Sequence, residues 1–175
     1  FSELEMQLFP KEPRDRITCL SLPHILPPEN VLGLVLTKRE LTTQELRFDY
    51  STRDDPLLLR DLITKVELVC SVIPGGVAVF FPSFQMMQVF IRHLHTEKRF
   101  SSLNQLKRVF CESRGKEDIF GSYAKYIRET RQGALLLAVI GGRLSEGINF
   151  SNELGRCVMI VGMPYPNKND VILQE

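Results

Sequence analysis

The sequence predicts an α/β fold in which a parallel sheet carries helices on both faces. Two observations predict it. Short apolar runs of strand length recur along the chain, VAVFF at 77–81 and ALLLAVI at 134–140 being the clearest. Between them lie segments whose apolar residues step by three and four. Strands without polar alternation are buried on both faces, and amphipathic helices are what cover them. Ligands of such sheets gather beyond the carboxyl ends of the strands.

Taken in order, residues 1–30 hold Pro10, Pro13, Pro23, Pro27 and Pro28, which exclude a long helix. A short helix over 2–9 and one short strand near 17–20 are expected there. Residues 31–36 form an apolar run of strand length, and Leu46, Phe48 and Tyr50 alternate with Arg47 and Asp49 as a half-buried strand would. Pro56 opens a helix marked by Leu58, Leu62, Val66, Val69 and Ile73, and Pro74-Gly75-Gly76 ends it. After the strand at 77–81, Pro82-Ser83 precedes a helix with Met86, Met87, Phe90, Ile91 and Leu94 on one side. A strand over 107–110, a helix over 118–131 with Ile119, Tyr123 and Ile127 inward, and strands over 134–140 and 157–161 complete the pattern. The chain thus divides into an irregular lead-in from a preceding domain, 1–30, and the α/β domain, 31–175. Phe1 is not a start residue, and Leu173-Gln174-Glu175 reads as the opening of another element, so both ends read as cuts and the domain as incomplete at its C-terminus.

Composition narrows the chemistry only a little. The length of 175 residues suits one domain with a proper core. Lysine and arginine number 22 against 21 acidic residues, so any phosphate-binding surface must be local. Lys98, Arg99, Lys107, Arg108, Arg114 and Lys116 make a basic stretch, read as a solvated surface first and a nucleic-acid path second. Cys19, Cys70, Cys111 and Cys157 are too far apart for a metal-ligand motif and are expected as buried free thiols of a reducing compartment. His93 and His95, two apart on a helix, point in different directions. No stretch approaches the roughly 18 apolar residues of a membrane span, so no membrane partner is expected.

Three unusual peptides follow the apolar strands. In Phe80-Phe81-Pro82-Ser83-Phe84, Ser83 is an N-cap, and a helix N-terminus with a hydroxyl also suits a phosphate. In Gly141-Gly142-Arg143-Leu144-Ser145-Glu146-Gly147-Ile148-Asn149-Phe150, paired glycines permit close backbone approach and Arg143 supplies a cation. Ser145 and Glu146 stand where a short helix would begin. Val161-Gly162-Met163-Pro164-Tyr165-Pro166 is a proline-fixed turn carrying an aromatic ring.

FFPSF, LLLAVIGGRLSEGINF and GRCVMIVGMPYPN, in this order and spacing, resemble the C-terminal motor domain of the XPD-like iron–sulfur helicases of superfamily 2. The corresponding family stretches are motif IV, motif V and the turn after it. LPHILPPEN at 22–30, Pro74-Gly75-Gly76, and Asn149 in place of an aspartate lean toward the Chl-type, cohesion-linked DEAH-box branch. The resemblance runs from about residue 23 to the end and is weak between 85 and 133.

The resemblance implies a RecA-like second domain of an ATP-dependent DNA helicase. Such a domain closes with an N-terminal motor domain of the same parent chain on ATP and single-stranded DNA. ATP and Mg would be shared with that first domain, and a 4Fe-4S cluster would sit in it, since no GxxxxGK[ST] or DEAH-type quartet occurs in this chain. The fragment alone is therefore expected to be inactive, with no complete catalytic set. Carried over, Ser83, Gly142, Arg143 and Ser145 would hold DNA phosphates, and Tyr165 would stack a base or pack the cleft. Glu146, Gly147 and Asn149 would lie between DNA track and ATP cleft, with Asn149 bringing no charge to the nucleotide. The family also implies a nuclear protein of DNA repair and sister-chromatid cohesion. Two rivals stand beside this: a truncated, non-catalytic paralogue that binds nucleic acid or protein, and an unrelated doubly wound cofactor enzyme using Gly141-Gly142 as its phosphate turn.

Overall fold

Asp55 starts the first long helix. Its carboxylate accepts the Leu57 and Leu58 N–H groups at 2.9 and 3.4 Å, and Pro56 takes the first position, where its missing N–H costs nothing. Arg39 holds the same carboxylate at 2.6 Å and, with the cap bonds, keeps its pKa below the ordinary aspartate value. The helix, α1, spans Pro56–Val72 and buries Leu58, Leu59, Leu62, Ile63, Val66 and Cys70. Each of the larger aliphatic side chains contributes roughly 1.5–3 kcal/mol by leaving water.

This computed structural model describes residues 7–11, 14–22, 25–39, 45–49, 51–146 and 148–163. The chain falls into two compact units, 1–36 and 37–175. The remaining elements of the second unit are β1 (Gly76–Phe81), α2 (Phe84–Thr96), α3 (Phe100–Leu106), β2 (Arg108–Cys111), α4 (Ile119–Thr130), β3 (Ala134–Val139) and β4 (Cys157–Ile160). The four strands are parallel, in the order β2-β3-β1-β4.

The two central strands are buried at every position, as their unbroken apolar composition predicts. Val77, Val79, Phe81, Leu135, Leu137 and Val139 face α1, α2 and α3; Ala78, Phe80, Leu136 and Ala138 face α4 with Tyr123 and Ile127. Edge strand β4 differs. Cys157 and Met159 pack on the first side, while Val158 and Ile160 are 53% and 60% exposed on the other. On that face α4 packs against β2 and β3 and leaves β4 uncovered among the described residues.

The amino-terminal edge of the sheet is tightly closed. Tyr123, fully buried, donates its hydroxyl to the Leu154 carbonyl at 2.6 Å, and burial pushes the phenol's pKa up. A Cβ on Gly76 would stand 2.1 Å from that hydroxyl and 2.2 Å from that carbonyl, so glycine is required there. Lys107, 2% exposed, donates to the Gly75 carbonyl at 2.7 Å.

Several expectations are corrected. Residues 17–20 and 31–36 form no strand, and Val31, Leu32, Leu34, Val35 and Leu36 are all exposed. An apolar run becomes a strand only with a partner to receive its backbone bonds, and none pairs with it among the described residues. The alternation at 46–49 forms no strand, the isolated bridge of Lys38 to Glu45 falling just before it, although Phe48 packs on the core; Tyr50 lies outside the described residues. Of the expected helix over 2–9, Gln7 and Leu8 are helical and residues 1–6 lie outside the described residues. Helix α3 was not expected. Cys19 is exposed rather than buried, whereas Cys70 is a buried free thiol and Cys111 and Cys157 are half-buried ones. The basic stretch is not one solvated surface: Lys107 is internal, and Arg99 bonds Glu67 and Thr64. His93 reaches Glu97 at 3.3 Å while His95 stacks on Phe100.

Candidate nucleic-acid interface at the carboxyl edge

Parallel strands bring every strand-end loop to one edge. Phe81 and Val139 are register partners, and the Ile140 N–H donates to the Phe81 carbonyl at 2.9 Å. The Ser83 turn and the loop at 140–146 therefore leave the sheet side by side.

Proline at 82 ends the strand, and extended Ser83 caps α2, its hydroxyl oxygen accepting the Met86 N–H at 3.2 Å. The hydroxyl proton and a second lone pair stay available. Phe84 opens the helix, and the Arg114 guanidinium lies 5.0 Å from its ring centroid. An aromatic face holds arginine by cation–π attraction, so this exposed charge is oriented beside the Ser83 cap. Arg53 bonds Gln85 in the first turn of the same helix at 3.1 Å.

In the next loop Gly141 has φ +72°, a conformation that favours glycine. The Gly142 N–H donates to Val139 O at 2.9 Å and the Ser145 N–H to Gly142 O at 3.1 Å, two consecutive turns and not the short helix expected at Ser145 and Glu146. Leu144 turns inward and is buried with the α4-side core. Arg143 and Glu146 are exposed and Ser145 half-buried. Arg143 Nη2 donates to the Glu117 carbonyl at 3.3 Å, and the Ser145 hydroxyl donates to the Gly142 carbonyl at 2.8 Å. Further on, Asn149 is exposed between the half-buried Ile148 and Phe150. Gly147 and Tyr165 lie outside the described residues. The third turn begins at Gly162, φ +70°, whose Cβ position is 3.0 Å from the Phe48 side chain.

One residue at this edge escaped the sequence reading. Glu112, 3% exposed, follows β2 and turns its carboxylate under the loop. Oε2 accepts the Val139 N–H at 2.8 Å and Oε1 the Leu144 N–H at 3.4 Å. A Cβ on Gly142 would stand 2.6 Å from Oε1, so the close approach this glycine permits is to Glu112. A carboxylate directly after a strand was the available signal, but it does not say which backbone it will meet.

The edge offers donors for an anionic backbone. Among the described residues no three His, Cys, Asp or Glu side chains could jointly hold a metal. Cys111 and Cys157 lie on the two outer strands with β3 and β1 between them, and Cys70 is in the core, so these thiols do not converge on a cluster. Burial pushes Cys70 up to about 12 and Cys111 up to about 11, away from thiolate chemistry. Among the described residues, no helix is long and apolar enough to cross a membrane.

Comparison with known proteins places this architecture. Residues 66–175 match the helicase C-terminal domain. The ATP-dependent DNA helicase DDX11 of Danio rerio is 38% identical over 170 residues, covering 92% of this chain and 19% of the relative. The DDX11 of Homo sapiens is 38% identical, over 92% of this chain and 17% of the relative. The ATP-dependent DNA helicase CHL1 of Scheffersomyces stipitis is 36% identical, over 95% of this chain and 20% of the relative. A solved XPD helicase superposes on 71% of this chain and 20% of its own, with a TM-score of 0.53 at 24% identity, the fold expected of a RecA-like helicase domain. The chain spans about a fifth of the length of these curated relatives. It belongs to the helicase C-terminal domain family, and the relatives it resembles in sequence carry the names DDX11 and CHL1.

Proposed function

We propose that this chain is the second motor domain of an ATP-dependent DNA helicase. It binds the backbone of single-stranded DNA and forms one wall of the ATP cleft against the N-terminal motor domain of the same parent chain. The observation that carries the reading is the pairing of two strand-end loops on one edge, the Ser83 cap and the 140–146 loop, with Arg143 exposed. Ser83 and the first amides of α2 suit one DNA phosphate, and Arg143 suits the next. Arg114, oriented on Phe84, adds positive charge to the same edge. Arg143 and Ser145 now spend bonds on the Glu117 and Gly142 carbonyls. Ligand phosphate would replace those neutral acceptors with a charged one, a stronger pairing.

Glu146, Gly147 and Asn149 continue the loop toward the nucleotide side in this reading, which makes the loop the mechanical link between DNA and ATP; Tyr165 joins the cleft in the turn beyond. ATP and Mg are shared with the first motor domain and the 4Fe-4S cluster belongs to that domain, because this chain has neither phosphate loop nor acidic quartet. Phosphate contacts carry no base information, as a motor walking over any sequence requires. The parent would act in the nucleus, in DNA repair and sister-chromatid cohesion.

The test is Arg143→Ala in the full-length protein, titrated with two unrelated single strands at several salt concentrations. Affinity falls alike for both, and the slope of log K against log salt shrinks by about 0.7, the value for one lost phosphate contact on single-stranded DNA. A loss confined to one sequence, or an unchanged slope, overturns the assignment.

A further inference from the structure

The carboxylate under the loop is the unexplained group of this edge. Glu112 stands where β2 runs out: its own N–H still donates to Leu137 O at 2.8 Å, continuing the ladder to β3. The next donor of β3, the Val139 N–H, has no β2 carbonyl opposite it, and Glu112 Oε2 takes that place at 2.8 Å. The other oxygen passes beneath Gly142 and accepts the Leu144 N–H at 3.4 Å. A carboxylate 3% exposed, with both oxygens on backbone N–H groups, is costly to bury unless those bonds are kept.

We propose that Glu112 is a positioning residue, a strut that fixes the loop carrying Arg143 and Ser145 in its ligand-receiving shape. The proposal rests on the DNA-binding reading above for what the loop receives, but its geometry stands independently. The two bonds are unequal. The 2.8 Å bond ties the strut to the strand end, while the 3.4 Å bond to Leu144 is the one that yields when the loop shifts. Arg143 and Ser145 flank Leu144 directly, so the Leu144 amide sets where both side chains emerge.

Glu112→Gln keeps the shape but turns an NH2 group toward one of the two N–H donors, so it loses one arm. Glu112→Ala loses both. The full-length protein is compared by hydrogen exchange, without DNA, at the backbone amides of 139–146 and of α1. Both variants exchange several-fold faster at 139–146, alanine more than glutamine, with α1 unchanged in Glu112→Gln. Unchanged exchange at 139–146 overturns the strut. In the same protein, Glu112→Gln raises the DNA concentration for half-maximal ATPase stimulation more than it lowers the maximal rate. The double variant Glu112→Gln/Arg143→Ala binds DNA no worse than the weaker single variant. Faster exchange with normal DNA response, where Arg143→Ala does weaken binding, overturns the positioning role. Faster exchange with Arg143→Ala also silent supports the strut and overturns the DNA reading instead.

Discussion

Tyr123→Phe isolates one atom at the closed edge of the sheet. The hydroxyl donates to the Leu154 carbonyl at 2.6 Å inside the core. The ring makes edge contacts with Phe110 at 5.9 Å and Phe150 at 6.5 Å and stacks with Phe120 at 6.0 Å, all of which phenylalanine keeps. The change therefore removes one buried hydrogen bond and strands a carbonyl, a loss of about 1–3 kcal/mol. With a urea m-value of about 1–3 kcal/mol per molar, the midpoint falls by on the order of 1 M while the slope stays constant. Gly76→Ala should be worse, because its Cβ meets both the hydroxyl at 2.1 Å and the Leu154 carbonyl at 2.2 Å. In the Tyr123→Phe background that penalty shrinks without vanishing, since the backbone obstacle remains. Urea denaturation followed by circular dichroism gives all four corners of the cycle. A Tyr123→Phe midpoint within error of the parent, or full additivity with Gly76→Ala, refutes the reasoning.

Two further outcomes follow from other parts of the chain. Asp55→Ala removes the α1 cap and the Arg39 partner, a loss of about 0.5–2 kcal/mol for the cap alone. Because the folded pKa of Asp55 is depressed, chiefly by the Arg39 hydrogen bond, the carboxylate's contribution is present above the unfolded value of about 3.9 and fades as pH falls through the folded one. The stability gap between parent and variant, measured by thermal melts at pH 7 and pH 3, should therefore narrow in acid; a constant gap removes the ionic part of the account. Native alkylation read by mass spectrometry should modify exposed Cys19 first and buried Cys70 last, and early labelling of Cys70 would contradict its place in the core.

Much of the second unit could be read before any coordinates. Helices α1, α2 and α4 announce themselves by apolar steps, with Pro56 and the Ser83 cap marking two of the starts, while the side-chain caps of Asp55 and Asp118 came only with the structure. Strands β1 and β3 need no alternation because both faces are covered. Helix α3 was invisible for opposite reasons: seven residues, only Leu103 buried, and Arg99 as a cap without a side-chain bond. The runs at 31–36 and 46–50 misled because strand composition states an aptitude, and pairing needs a partner that local sequence does not name. At the site, Gly141 and Gly142 marked the loop, but not the Glu112 carboxylate that Gly142 lies against. Glu112 meets backbone 27 and 32 residues away, a tertiary relation no short motif encodes.

The closed edge has a mechanical consequence. Gly75, Gly76, Lys107, Tyr123 and Leu154 leave no room for the strands to shift at their origins. Six residues of β1 or β3 extend about 20 Å from that anchorage at the usual rise. Any flexing of the sheet is then a tilt about a fixed base, and displacement grows toward the far tips. The loops seated on those tips travel farthest for a given strain, while the side chains near the base hardly move.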